Sequence, residues 1–296
     1  MDEPEVVRRY SPFLFKWFAR VSLRMVRKRF EAVRVLKGCH PAEAGWPEGP
    51  YRGGGVVVMN HPGWWDPMAA VVAAKKWMPG ALHFAPMDAA MLKSYPLMDR
   101  MGFFGIEQGT ARGGAAFMKT AVGLLRGGEA AQNPSASAGF GGGSSRVLWV
   151  TGPGVFRDVR ERPVGLMPGV ARLAGRLARS HPAEAGWPDG VVGGEWVMVM
   201  AVEYVFWDQS RPEMLMAFGA PVPVGEVTAE GLEGEMERVM DALAAAAVKR
   251  DPGLFEVVEM PWLTRKRVGV GGAYDQFRRL WSWCRGRRFD PRHGAD

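Results

Sequence analysis

Residues 56–68 run VVVMNHPGWWDPM, from Val56 to Met68. Four apolar residues, Val56 to Met59, make a short buried strand that ends at Asn60. His61, Pro62, Gly63, Trp64 and Trp65 follow as a loop, and Asp66-Pro67 opens a helix whose apolar pattern runs to Trp77. In an open α/β sheet, ligands sit in the loops beyond the carboxyl ends of the strands. An imidazole in such a loop is suited to moving protons near neutral pH. Asp66, one turn on, is spaced to accept the other ring N–H, fix the tautomer and balance the charge. The same Asp-Pro pair is also an ordinary helix start, with Asp as N-cap and Pro as first helical residue. Spacing alone leaves both readings open.

Downstream the chain alternates. Ala81–Met87 reads as a strand, Asp88–Met101 as helical, Phe103–Glu107 as a short strand or turn, and Gly113–Leu125 as a helix. Val147–Val150 reads as a buried strand, followed after a Gly/Pro turn by a helix over Pro168–Arg179. Strands are expected over Trp196–Trp207 and Met214–Pro223, then a long helix over Ala229–Lys249, stopped by Asp251-Pro252. This alternation predicts an α/β fold with a mixed, mostly parallel central sheet covered by helices on both faces. Gly53-Gly54-Gly55 and Gly141-Gly142-Gly143 lack the Lys-Ser/Thr of a phosphate-binding loop and read as turns.

The chain has 296 residues, 47 % hydrophobic and 23 % charged, which excludes wholly disordered, collagenous and coiled-coil classes. Its two cysteines, Cys39 and Cys284, exclude a disulfide scaffold and disfavour a Cys-based zinc site. The five histidines match no metal-ligand spacing, so no metal and no cofactor are expected. The opening MDEPEVV lacks a signal pattern, and no apolar run reaches the ~20 residues of a spanning helix. A net charge of +7 with 12 Trp and 15 Phe calls for an anionic partner or surface.

That charge sits at the two ends. Between Arg8 and Lys37 lie ten Lys or Arg against one acid, Glu31. At ~100° per residue, Leu14, Phe18, Val21 and Met25 share a stripe, with Lys16, Arg20, Arg24 and Arg27 on other faces. Residues 1–38 therefore read as a basic amphipathic helix, fit either to pack on its own domain or to lie in an anionic bilayer interface. Residues 39–255 read as the α/β domain, with a Gly/Ser/Ala-rich insertion at 129–145, and 256–296 as a basic tail. HPAEAGWP occurs twice, at His40–Pro47 and His181–Pro188, and reads as a duplicated polar turn ahead of a strand. No nucleic-acid motif is present, and the basic residues share a helix with a stripe that suits lipid better than base stacking.

His61-x4-Asp66 resembles the HX4D motif of the glycerolipid acyltransferase family, which includes lysophosphatidic acid and glycerol-3-phosphate acyltransferases. The resemblance extends roughly from Tyr51 to Gly219. Phe103-Phe104-Gly105-Ile106-Glu107 is similar to the second block, Leu148 to Gly154 to the third, Leu166 to Ala171 to the helix start beyond it, and Val197 to Tyr204 to the fourth. It implies a glycerol-3-phosphate acyltransferase-like fold. It also implies transfer of a fatty acyl group from acyl-CoA or acyl carrier protein to a hydroxyl of a lysophospholipid or other polar lipid. His61 would be the general base and Asp66 its orienting carboxylate. Asn60, Trp64, Trp65, Gly105, Gln108, Arg112, Gly154 and Arg157 would contact substrate, and backbone N–H groups at the Gly turns would hold the oxyanion. The expected setting is peripheral, on the cytoplasmic side of the cell membrane, with an anionic lipid surface as partner. Departures are specific. Gln108 stands where the family's second block has a phosphate-gripping Arg, Pro153 precedes Gly154 where a Glu is usual, and Val199 replaces the Pro of the fourth block. They imply a phosphate-poor acceptor, such as a glycolipid, other hydroxylated lipid or amine. The alternative is a catalytically weakened, membrane-associated scaffold or lipid-binding protein of the same fold.

Overall fold

The computed structural model describes residues 4–41, 54–130, 145–179 and 195–260. Two helices, α1 (Glu5–Arg9) and α2 (Pro12–Arg29), lead into β1 (Val33–Leu36) and β2 (Gly54–Met59). Then come α3 (Asp66–Trp77), β3 (Leu82–Asp88), α4 (Ala89–Ser94), β4 (Phe103–Ile106), α5 (Ala111–Ala130) and β5 (Arg146–Thr151). The remainder is α6 (Gly169–Ala178), β6 (Trp196–Val205), β7 (Glu213–Phe218), β8 (Val222–Pro223), α7 (Ala229–Val248) and β9 (Phe255–Glu259). The strands form one sheet in the order β4-β3-β5-β2-β6-β7-β1-β9, with β8 paired to β6. β4, β3, β5, β2 and β6 are mutually parallel; β7 runs antiparallel to β6, and β9 antiparallel to β1.

The fold is thus α/β with a mixed, mostly parallel sheet between helices. The sheet carries a core on each face. One face packs Val56, Val58, Leu148 and Val197 with residues of α5, α6 and α7, among them Leu124, Leu173 and Leu243. The other packs Val57, Met59, Trp149, Met198 and Met200 under Leu23 and Val26 of α2 and Val72 and Ala73 of α3. β2 is buried along its whole length, which explains its unbroken apolar run. Its register aligns Met59 with Thr151 of β5 and Met200 of β6, so the chain emerges at Asn60 flush with the carboxyl end of β5, beside β6, which runs on to Val205.

Several expectations need correction. Gly54 and Gly55 are strand, not turn. A Cβ on Gly55 would lie 2.0 Å from the Trp196 ring and one on Gly54 2.9 Å from Leu125, so side-chain-free positions let those large groups seat on the strand. The helix expected over Asp88–Met101 stops at Ser94, because Pro96 disfavours helical backbone at Tyr95; only a 3-10 turn, Asp99–Met101, follows. Met214–Pro223 splits into β7 and β8 at Gly219-Ala220-Pro221. Residues 1–38 are not one helix: they include β1, which pairs with β7. The supposed tail from 256 begins inside β9, an edge strand on β1. Glu129 and Ala130, assigned to the insertion, still belong to α5.

The stripe on α2 is also displaced. Ala19, Ser22, Leu23 and Val26 are buried, and Met25 is exposed, because α2 lies on α3 through its smaller residues. Phe13 and Trp17 face outward, at 75 % and 52 % exposure, among Lys16, Arg20 and Lys28. Phe18 packs edge-on against Phe103. Among the described residues no helix is long and apolar enough to cross a membrane. Most of both HPAEAGWP strings, most of the insertion and the tail from 261 lie outside the described residues.

Candidate functional site

The loop after β2 is built to present one imidazole. Asn60 is buried, and its carboxamide extends the ladder one step beyond the strand: Nδ2 donates to the Val202 carbonyl at 2.9 Å, and Oδ1 accepts the Val202 N–H at 2.8 Å. Each bond contributes about 1 kcal/mol net, and more is lost if a buried partner is left alone. From the other side, the Arg157 N–H donates to the His61 carbonyl at 3.0 Å and the Gly152 N–H to the Met59 carbonyl at 2.7 Å. The backbone around His61 is therefore gripped by β6 on one side and by the β5 loop on the other.

Asp66 does not cap the helix. It is the first residue of α3, with Trp65 in the N-cap position and no side-chain cap bond. Its carboxylate instead turns to the imidazole. Oδ2 lies 2.5 Å from His61 Nδ1 and also accepts the Gly63 N–H at 3.1 Å. Oδ1 accepts the Tyr204 hydroxyl at 2.5 Å. The Asp66 side chain has no exposed area, while that of His61 keeps 19 %. A buried carboxylate needs such donors. With Nδ1–H given to Asp66, Nε2 is the ring nitrogen left with a lone pair. Burial raises the Tyr204 hydroxyl well above the ordinary phenol range, and the Asp66 charge and hydrogen bond raise it further. Tyr204 thus stays a donor.

His61 and Asp66 line a cavity of about 240 Å³, slightly below the ~300–1,000 Å³ usual for small-molecule sites. It runs between α3 and β3. Pro67, Ala70 and Ala74 line it along the helix, Met87, Ala85 and His83 along the strand, and Phe15 and Phe18 of α2 contribute a further side. Eight residues of helix at 1.5 Å each give a depth of about 12 Å from Asp66 to Ala74. An extended chain advances about 1.2 Å per bond, so about ten bonds fit. His83 is fully buried and stays neutral there. Burial pushes its imidazole down to about 4, opposed by the hydrogen bond to Met78. Nε2 donates to the Met78 carbonyl at 3.1 Å, and Nδ1 accepts the Trp149 indole N–H at 3.2 Å. Polar atoms at that depth are thereby satisfied without charge.

The other expected contacts divide. Gln108 lines the cavity. Trp64 is 77 % exposed and outside the cavity lining, 6.5 Å between ring centroids from Phe156, also outside it, which lies 4.4 Å from the His61 ring. Trp65 turns away into the core, edge-on to Phe30 at 5.0 Å. Gly105 faces Ala89 in the β4–α4 packing, and Arg112 is exposed on the first turn of α5; neither lines the cavity. Gly154, at φ +71°, shapes the turn after β5 against Met167 and is also outside the lining. Arg157 meets the site through its backbone, while its guanidinium pairs with Glu161 at 3.3 Å. The Gly-turn N–H groups expected at an oxyanion are engaged internally: Gly63 to Asp66, Gly152 to Met59 and Gly154 to Thr151.

Tyr204, Phe156 and Thr151 were missed by sequence reasoning. Tyr204 is far along the chain and looks like any strand aromatic. A signal existed only in strand alternation, which sets Val202 and Tyr204 on the same sheet face as Met59. Among the described residues no group of His, Cys, Asp or Glu could hold a metal ion. Comparison with protein-family models and with curated proteins gives no match for this chain.

Proposed function

We propose that this chain is an acyltransferase, similar to the HX4D glycerolipid enzymes, that moves a fatty acyl group from a CoA or carrier-protein thioester to a lipid hydroxyl. One observation carries the reading: a hydrogen-bonded Asp66–His61 pair lines an apolar cavity about as deep as a medium fatty chain is long. A cavity of that lining favours alkyl groups, at about 0.8 kcal/mol per buried methylene.

His61 Nε2 takes the proton of the acceptor hydroxyl as its oxygen attacks the thioester carbonyl. Asp66 holds the ring and stabilises the imidazolium, and Tyr204 holds Asp66. The proton then passes to the departing thiolate. General-base assistance of this kind is worth about 10²–10⁴ in rate. With the neighbouring glycine N–H groups engaged, the Thr151 hydroxyl and the Gln108 carboxamide are the donors in the cavity lining suited to the oxyanion. The outer face of α2, with Phe13 and Trp17 among basic residues, supports a peripheral position on an anionic membrane, on its cytoplasmic side.

The test is acyl transfer by the purified full chain from labelled acyl-CoA to a panel of lysolipids and neutral polar lipids, with His61→Ala alongside. Turnover falls by about 10³-fold or more in the variant, with an unchanged circular dichroism spectrum. Near-normal turnover without His61 refutes the reading. Liposome binding without any turnover points to a scaffold of the same architecture.

A further inference from the structure

Among the described residues, the cavity that holds His61 has no cationic lining: its polar side chains include His61, Asp66, His83, Gln108 and Thr151, and no described Lys or Arg contributes. A phosphate monoester brought to the imidazole would leave water without a counter-charge, at a penalty of several kcal/mol. Three arginines follow β5 on the loop that meets the His61 backbone, and each is held by a carboxylate. Arg157 pairs with Glu161, Arg160 with Asp158 through bonds of 2.8 and 2.7 Å, and Arg162 with Asp241. Two further carboxylates belong to this cluster. Glu203 feels the charge of Arg160, and Glu233 accepts the N–H groups of Gly165 and Leu166 at 2.6 and 2.8 Å. These guanidiniums are therefore already matched by carboxylates rather than offered as a phosphate clamp.

Outside the cavity lining, the imidazole is bordered by aromatic rings. Phe156 and Trp64 are 55 % and 77 % exposed and lie within ring-contact distance of His61 and of one another respectively. The faces of such rings are electron-rich and attract weakly positive C–H groups. A sugar ring has a C–H face to rest on them and a rim of hydroxyls to offer to Nε2.

We infer that the acceptor is an uncharged glycolipid, acylated on a sugar hydroxyl while its ring rests on Trp64 and Phe156. This rests on the acyltransferase reading above. The sugar O–H proton goes to His61 Nε2, the sugar oxygen bonds to the thioester carbonyl carbon, and the C–S bond breaks. The thiolate takes up the proton, so the products are a sugar ester and a free thiol.

The experiment uses the full chain, radiolabelled decanoyl-CoA, and two acceptors in the same neutral micelle: dodecyl glucoside and lysophosphatidic acid. The expected kcat/KM for the glucoside exceeds that for lysophosphatidic acid by about tenfold or more. Trp64→Ala and Phe156→Ala raise KM for the glucoside by about fivefold or more with little change in kcat, as loss of uniform binding requires. His61-dependent turnover that favours lysophosphatidic acid overturns this inference and leaves the acyltransferase reading standing. Equal KM effects of the aromatic variants on both acceptors also overturn it, because they mark a micelle contact rather than a sugar shelf. No His61-dependent transfer to either acceptor overturns both readings.

Discussion

Tyr204→Phe removes one hydroxyl and keeps the ring, which packs against Phe30 at 5.8 Å between centroids. The structure then leaves Asp66 Oδ1 without the donor it had at 2.5 Å, while Oδ2 keeps His61 and Gly63. Because that carboxylate is fully buried, water does not replace the lost bond. A buried acceptor so stranded costs about 1–3 kcal/mol, towards the upper end for a charged group. At about 2–4 °C per kcal/mol for a chain of about this size, a loss of about 2–3 kcal/mol lowers the melting temperature by roughly 4–12 °C. Catalysis changes in a different way. The carboxylate gains freedom to rotate, and kcat drops by about tenfold. The assay is initial-rate kinetics with a saturating acyl donor, run beside a thermal melt. A lowered melting temperature with a native kcat refutes the catalytic role of Tyr204 and leaves a structural one.

Two other outcomes follow from the cavity. His83 is held neutral in the folded chain at about 4, below its ordinary value of 6.5. The unfolded chain therefore binds the extra proton first as pH drops. The stabilisation is complete above about pH 6.5 and is lost as pH falls to about 4, in total about 3 kcal/mol. Urea melts across that window should show this slope, and His83→Gln should flatten it; an unchanged slope in the variant disproves the assignment. Ala70→Leu places a larger side chain on the α3 wall of the cavity, one turn below Asp66. Transfer of decanoyl and longer chains should fall by about tenfold or more with acetyl transfer retained, since each methylene excluded forfeits about 0.8 kcal/mol. Equal loss for all chain lengths would mean that the cavity is not where the acyl chain lies.

The local pattern was enough to read the elements that bury themselves. Val56–Met59 and Val147–Val150 are apolar on both sides, which only an interior parallel strand tolerates, and both are interior strands. The long helix after Ala229 has its stop at Asp251-Pro252 written in the chain. Short or edge elements were harder to see. β1 and β9 hold Arg34 and Glu256 among their apolar residues, and their identity comes from the strands they meet rather than from their own pattern. The stripe on α2 was misplaced because periodicity shows that a helix is amphipathic but not which small residues its neighbour requires. Only α3 beneath it selects Ala19 and Ser22 over Leu14 and Val21.

At the site, the spacing of His61 and Asp66 within one turn was enough to nominate them as partners, because a loop and a helix start joined by four residues cannot separate far. It was not enough to choose between a cap and a dyad. That choice was made by groups remote in sequence: the Tyr204 hydroxyl, 138 residues on, takes one carboxylate oxygen and so aims the other at the imidazole. The cavity beyond is likewise a product of packing, because its walls come from α2, α3, β3 and β5, and no linear motif encodes a space between four elements. Short-range chemistry is set by neighbours along the chain. Where a charge points, and what emptiness lies beside it, is set by atoms that only folding brings near.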